Sequence, residues 1–128
     1  MKYYIAKTVS YPFDEVVKRT IEELKNEGFG VLSEIDIHDK LKEKLDIDFR
    51  KYKILGACHP PSAYRALQAE DKIGVMLPCN VIVQEHGENE IEVAAVDPVA
   101  SMMAVENGNL SGIANDIKQR LVRVISAI

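Results

Sequence analysis

Hydrophobic positions along this chain switch period several times, and each switch marks a change of element. Residues 3 to 9, rich in aromatic and β-branched types, predict a first strand. Phe13, Val16, Val17, Ile21 and Leu24 then recur at helical spacing, Pro12 suits a first helical position, and Asp14 and Glu15 complement the positive end of the helix. This predicts a helix over about 12–27, stopped by Gly28. From Gly30 to Ile37 the pattern alternates, with Val31, Ser33, Ile35 and Ile37 on one side, which predicts a second strand. Asp39 is placed to cap a short surface helix whose Leu41 and Leu45 stand four apart.

Tyr52 to Cys58 predicts a third strand, and Pro60-Pro61 cannot continue a ladder but can open a helix, expected from Ser62 to about Ala69. Ala63, Ala66 and Leu67 give that helix a small face able to approach a neighbour closely, while Tyr64, Arg65 and Gln68 point outward. Residues 73–85 form an apolar run interrupted by Pro78, and a bent or bulged strand is the expectation. Glu90 to Val96 alternates again, and Gly87-Glu88-Asn89 supplies a hairpin turn that pairs the two runs antiparallel. Asp97-Pro98 opens a helical turn through Met102 and Met103, Asn107-Gly108 interrupts it, and a final helix starts near Leu110. Its stripe is Ile113, Ile117, Leu121, Val124, Ile125 and Ile128. The order β-α-β-α-β-α-β-β-α predicts one α+β domain over residues 1–128, with a largely antiparallel sheet and helices packed on one face.

Composition narrows the function classes. Sixteen basic against twenty acidic residues give a formal charge of −4, so nothing draws the whole molecule to nucleic acid or anionic lipid. Basic residues gather at Lys40, Lys42, Lys44 and from Arg50 to Lys53, but acids interleave with them as on a solvated face. Met1-Lys2-Tyr3-Tyr4-Ile5 shows no extended apolar h-region with a small-residue cleavage site, and no apolar run approaches the ~20 residues needed to cross a bilayer, so a cytoplasmic location away from membranes is expected. Seven scattered glycines form neither GxGxxG nor GxxxxGK[ST], which argues against nucleotide-dependent chemistry.

Candidate chemistry concentrates in Cys58-His59-Pro60-Pro61 and Leu77-Pro78-Cys79-Asn80, which hold the two cysteines of the chain. Cys58 closes a strand just before a helix, where unsatisfied N–H groups favour thiolate, and His59 can add a hydrogen bond or a charge. The same positions are equally explained by a small buried cysteine and a turn histidine. A bulge beside Pro78 would re-aim Cys79, or Cys79 fills a core gap. If the third and fourth strands are neighbours, the thiols can meet, and a redox pair or a soft-metal pair of Cys58 and Cys79 is the alternative to a plain binding site. His38, His59, His86 and Asp97 are the other ligand types, without motif spacing. Met102-Met103 could offer thioethers, although core or dimer contacts explain them as well. Asn80 and Asp97 can line a pocket, or satisfy a strand and cap a helix. Tyr64, Arg65 and Gln68 are the polar residues best placed to meet a ligand near the thiol. A nucleophilic cysteine would need a base and an orienter, and only a histidine with Asp97 could supply them, so catalysis is not the expectation.

Leu55-Gly56-Ala57-Cys58 with Pro60, Ala63-Tyr64-Arg65-Ala66-Leu67, Leu77-Pro78-Cys79-Asn80-Val81, Val96-Asp97-Pro98 with Met102-Met103, and the closing Ile/Ala-rich helix together resemble the bacterial and archaeal family called domain of unknown function 302. The resemblance covers nearly the whole chain. It implies a curved, largely antiparallel five-stranded sheet: a strand, a helix and four further strands closed by a C-terminal helix, broadly like the TATA-box-binding-protein architecture with extra short helices. It also implies a homodimer, and it carries neither an established activity nor a DNA-binding role. The expectation is a domain that binds a small ligand or a protein partner near Cys58, His59, Tyr64, Arg65, Cys79, Asn80 and Asp97, without a cofactor. A domain that only dimerises and scaffolds is a weaker alternative.

Overall fold

The computed structural model describes residues 2–128, and its first helix shows how local signals set the frame. Strand β1 (Tyr4–Val9) is followed by α1 (Phe13–Asn26), in which Pro12 is the N-cap residue and its carbonyl accepts from Val16 N at 3.0 Å. The stripe Phe13, Val16, Val17, Thr20 and Leu24 is buried, and the Thr20 hydroxyl is satisfied by donating to the Val16 carbonyl at 2.7 Å. Gly28 adopts φ +85°. Its N–H bonds the Lys25 carbonyl at 3.0 Å, and Phe29 N bonds Leu24 O at 2.9 Å, the paired pattern of a Schellman stop.

The remaining elements are β2 (Gly30–Asp36), α2 (Ile37–Leu45), β3 (Tyr52–Cys58), α3 (Pro60–Ala69), a 3-10 turn (Ile73–Met76), β4 (Cys79–Gly87), β5 (Glu90–Val96), α4 (Pro98–Met102), two further 3-10 turns and α5 (Ser111–Ala127). The five strands form one antiparallel sheet in the order β1-β5-β4-β3-β2. One face carries Ile5, Leu55, Val81, Val83, Ile91, Val93 and Ala95, and packs on α1 and α5. From α5 come Ile117, Leu121, Val124 and Ile125. Lys7 points to this side at the edge and donates to the carbonyls of Ser126 and Ile128 at 3.2 and 2.9 Å, a cation at the negative end of α5. Among the described residues, no helix packs on the opposite face, which carries Tyr52, Ile54, Ile82, Gln84, Glu92 and Ala94 and borders a shallow concavity.

Three boundaries differ from the expectations. Residues 73–85 are not one bent strand: Ile73–Met76 is helical and β4 starts at Cys79, because Pro78 has no N–H for the ladder and lies outside it. The bulges lie elsewhere, between Val31 and Ser33 and between Glu85 and Gly87. Helix α3 begins at Pro60, before Ser62, since its first turn needs no N–H groups. Asp39 does not cap α2. Strand β2 runs straight into that helix, so Asp36 occupies the N-cap position, without a side-chain bond, and Asp39 lies in the first turn.

Candidate functional site

Antiparallel pairing of β3 with β4 brings the two cysteine segments together: Ala57 stands opposite Cys79, with Cys58 one residue further on. Past that sheet end, α3 and α5 border a cleft of about 310 Å³. Helix α3 lines it with Ala63, Ala66 and Leu67, and α5 with Ile113, Ala114 and Ile117. Ala57, Cys58 and Cys79 form its floor, Leu77, Pro78 and Met102 one wall, and Phe29 and Leu32 another. The small face of α3, expected to permit close helix packing, instead leaves room. Leu32 is 70% exposed, so apolar surface continues outward from the mouth.

His59 and Ser62 are the polar residues on the lining besides the thiols. Ser62 is buried. Its Oγ lies 2.7 Å from His59 Nδ1 and accepts from Arg65 Nη2 at 3.3 Å, so one hydroxyl links the imidazole to the guanidinium. The imidazole packs on Phe29, ring centroids 5.6 Å apart, and against Gly28, where a Cβ would come within 3.1 Å of the ring. Burial lowers the His59 pKa, assisted by the positive charges of Arg120 and Arg65 and opposed by Asp116, so the ring is held neutral. Both cysteines are free thiols. Burial, with Cys58 adding to it, pushes the Cys79 thiol up to about 11, and its sulfur is protonated at neutral pH.

Of the residues singled out in the sequence, Cys58, His59 and Cys79 line this cleft and Arg65 reaches its edge through Ser62. Tyr64 is 65% exposed on the outer side of α3. Asn80 falls on the uncovered face of the sheet, one step of strand alternation away from Cys79, in a concavity shared with Tyr4, Tyr52 and Ile82. Asp97 is a helix cap: its Oδ1 accepts from Val99 N at 3.0 Å and Ala100 N at 3.4 Å, and Oδ2 pairs with Lys118 at 3.0 Å. Asn80 and Asp97 therefore do not belong with the thiols. Ser62, Phe29 and the α5 residues were missed as site residues. The tertiary packing of α3 and α5 around the cleft places them there, and the α5 stripe reads in sequence only as core.

Among the described residues, Asp36, His38 and Asp39 form the one group with metal-like spacing, their ligand atoms within 4.8 Å of one another. His38 Nδ1 accepts the Tyr52 N–H at 3.0 Å, which puts the ring proton on Nε2, and that nitrogen faces Asp39 at 3.7 Å. Neither nitrogen offers a free lone pair. The cluster is a hydrogen-bonded junction between the start of α2 and the start of β3.

The family described as Domain of unknown function DUF302 matches residues 5–128. The chain belongs to that family. A solved DUF302 structure, described as an uncharacterized conserved protein from Bacillus stearothermophilus, superposes with a TM-score of 0.92 at 30% identity, over 99% of this chain and 98% of that one. The α+β sheet and helix arrangement is thus shared with that DUF302 structure. No curated protein matches the sequence.

Proposed function

We propose that this DUF302 domain binds a small, largely apolar ligand in the cleft between α3, α5 and the adjoining ends of β3 and β4, without catalysing its conversion. The observation that carries this reading is a cleft of about 310 Å³ lined mainly by Ala, Ile, Leu, Met and Phe side chains, within the size range of small-molecule sites. A protonated Cys79 behaves there as an apolar group, which favours binding over thiol exchange or soft-metal capture. The test is displacement of neutral Nile red by 1-octanol, in native protein and in Ala63→Phe, whose ring fills the space. Saturable binding that weakens at least tenfold in the variant, with unchanged melting, supports the reading. Absence of binding to native protein, or equal binding to both, overturns it.

A second reading concerns assembly, and rests on the uncovered sheet face. Five strands spaced ~4.8 Å apart and seven-residue strands rising ~3.3 Å per residue give a plane of roughly 24 by 23 Å, about 550 Å² before side-chain relief, on the scale of the ~800 Å² per partner of a stable complex. We infer that a second copy of the chain covers it. Ile54 and Ile82 lie directly opposite each other at its centre, Ala94 beside them is buried, and the polar chain Arg50–Gln84–Glu92 borders them. Sedimentation at micromolar concentration distinguishes a dimer from a monomer.

A further inference from the structure

Three groups on the first turns of α3 give the apolar cleft a polar end. His59 and Ser62 line it, and the Arg65 guanidinium bonds the Ser62 hydroxyl at 3.3 Å. Arg65 has no carboxylate at ion-pair distance among the described residues, unlike Arg19, Arg120 and Arg123, which pair with Glu15, Asp116 and Glu27. That single bond to Ser62 leaves most of its five N–H donors open to a further acceptor. On α5 the facing charges, Arg120 and Asp116, neutralise each other at 3.1 Å. The uncompensated charge at this end of the cleft is therefore positive, and it comes from the side chain best suited to a planar anion.

We propose that the ligand is an amphipathic carboxylate: its hydrocarbon part lies against Ala66, Ile113 and Ile117, and its carboxylate pairs with Arg65 at the mouth beside His59 and Ser62. The inference rests on the apolar-ligand reading of the same cleft and adds to it the chemistry of the head group. A carboxylate fits because the guanidinium can offer two parallel N–H bonds, while an ammonium would meet the net positive charge that Arg65 leaves once Arg120 and Asp116 offset each other. Chain length is limited by the cleft, so affinity grows with each methylene only until the space is filled.

Calorimetric titration with hexanoate, octanoate and decanoate, and with 1-octanol and octylammonium as head-group controls, tests the assignment. The expected result is about a fourfold gain in affinity per added methylene up to a plateau, with octanoate about tenfold tighter than 1-octanol and octylammonium weakest. In Arg65→Gln the advantage of octanoate over 1-octanol disappears, while the dependence on chain length persists. Arg65 is exposed, so the variant keeps the fold. Equal affinity for octanoate and 1-octanol in native protein, or an octanoate advantage that survives Arg65→Gln, overturns the head-group assignment and leaves the apolar cleft standing. Failure of all five compounds to bind overturns both.

Discussion

The thiol of Cys79 offers the most direct measurement of what the cleft does to chemistry. Its pKa of about 11, against an ordinary 9.0, means that at pH 8 about one molecule in a thousand carries the thiolate, where an unstructured cysteine has about one in eleven. Since the thiolate is the reactive form, Cys79 should react with an aromatic disulfide reagent about ninety-fold more slowly than a free cysteine peptide. The Cys58→Ser variant isolates this sulfur. It removes the smaller cause of the shift, the neighbouring thiol, and keeps the larger one, burial, so slowing of several tens-fold is expected to remain. Stopped-flow absorbance at pH 8 reads the rate. Reaction within about threefold of the free peptide would refute the reasoning, because burial could not then be withholding the thiolate.

The same shift has a sign in stability. Between pH 9 and 11 the native chain keeps a proton that the unfolded chain has lost, so Cys79 contributes fully below pH 9 and its contribution falls as pH rises toward 11. The whole effect is at most about 2–3 kcal/mol, and denaturation profiles of native protein and Cys79→Ala should diverge in that window and nowhere below it.

Two other predictions concern the frame around the site. Asp97→Ala removes the acceptor of the Val99 and Ala100 N–H groups together with the Lys118 partner, and is expected to cost about 1–2 kcal/mol, a fall of roughly 4–8 °C in Tm; Asp97→Asn, which keeps a capping oxygen, should lose less than half of that by calorimetry. Ile82→Glu places a charge at the centre of the uncovered sheet face, and should convert the proposed dimer to monomer in sedimentation while leaving the far-ultraviolet dichroism unchanged; a native protein already monomeric at micromolar concentration would dispose of the self-association reading.

What could be read in the sequence divides according to the range of the forces involved. Helix α1 was legible to within a residue at each end because its stop is chemical and local: only a glycine easily takes φ +85°, and Gly28 does. The pairing of β4 with β5 was legible for the same reason, through a hairpin. Pro78 shows the limit. Its missing N–H announced an interruption but not its form, and whether the chain bulges within a ladder or stays outside it depends on a partner strand 21 residues earlier, where Ala57 sets the register by facing Cys79. That register then decides the membership of the site. Cys79 lies on the covered side, and the next residue, Asn80, is turned by strand alternation to the opposite face, so two neighbours in sequence belong to different surfaces. The cleft itself was least visible, since Ala63, Ala66 and Ile113 are the same residues a closely packed helix pair would use. A face of small side chains specifies how near two helices can come, and only the docking of α5 on β1 and α1 fixes how near they do come, leaving the space that His59, Ser62 and Arg65 border.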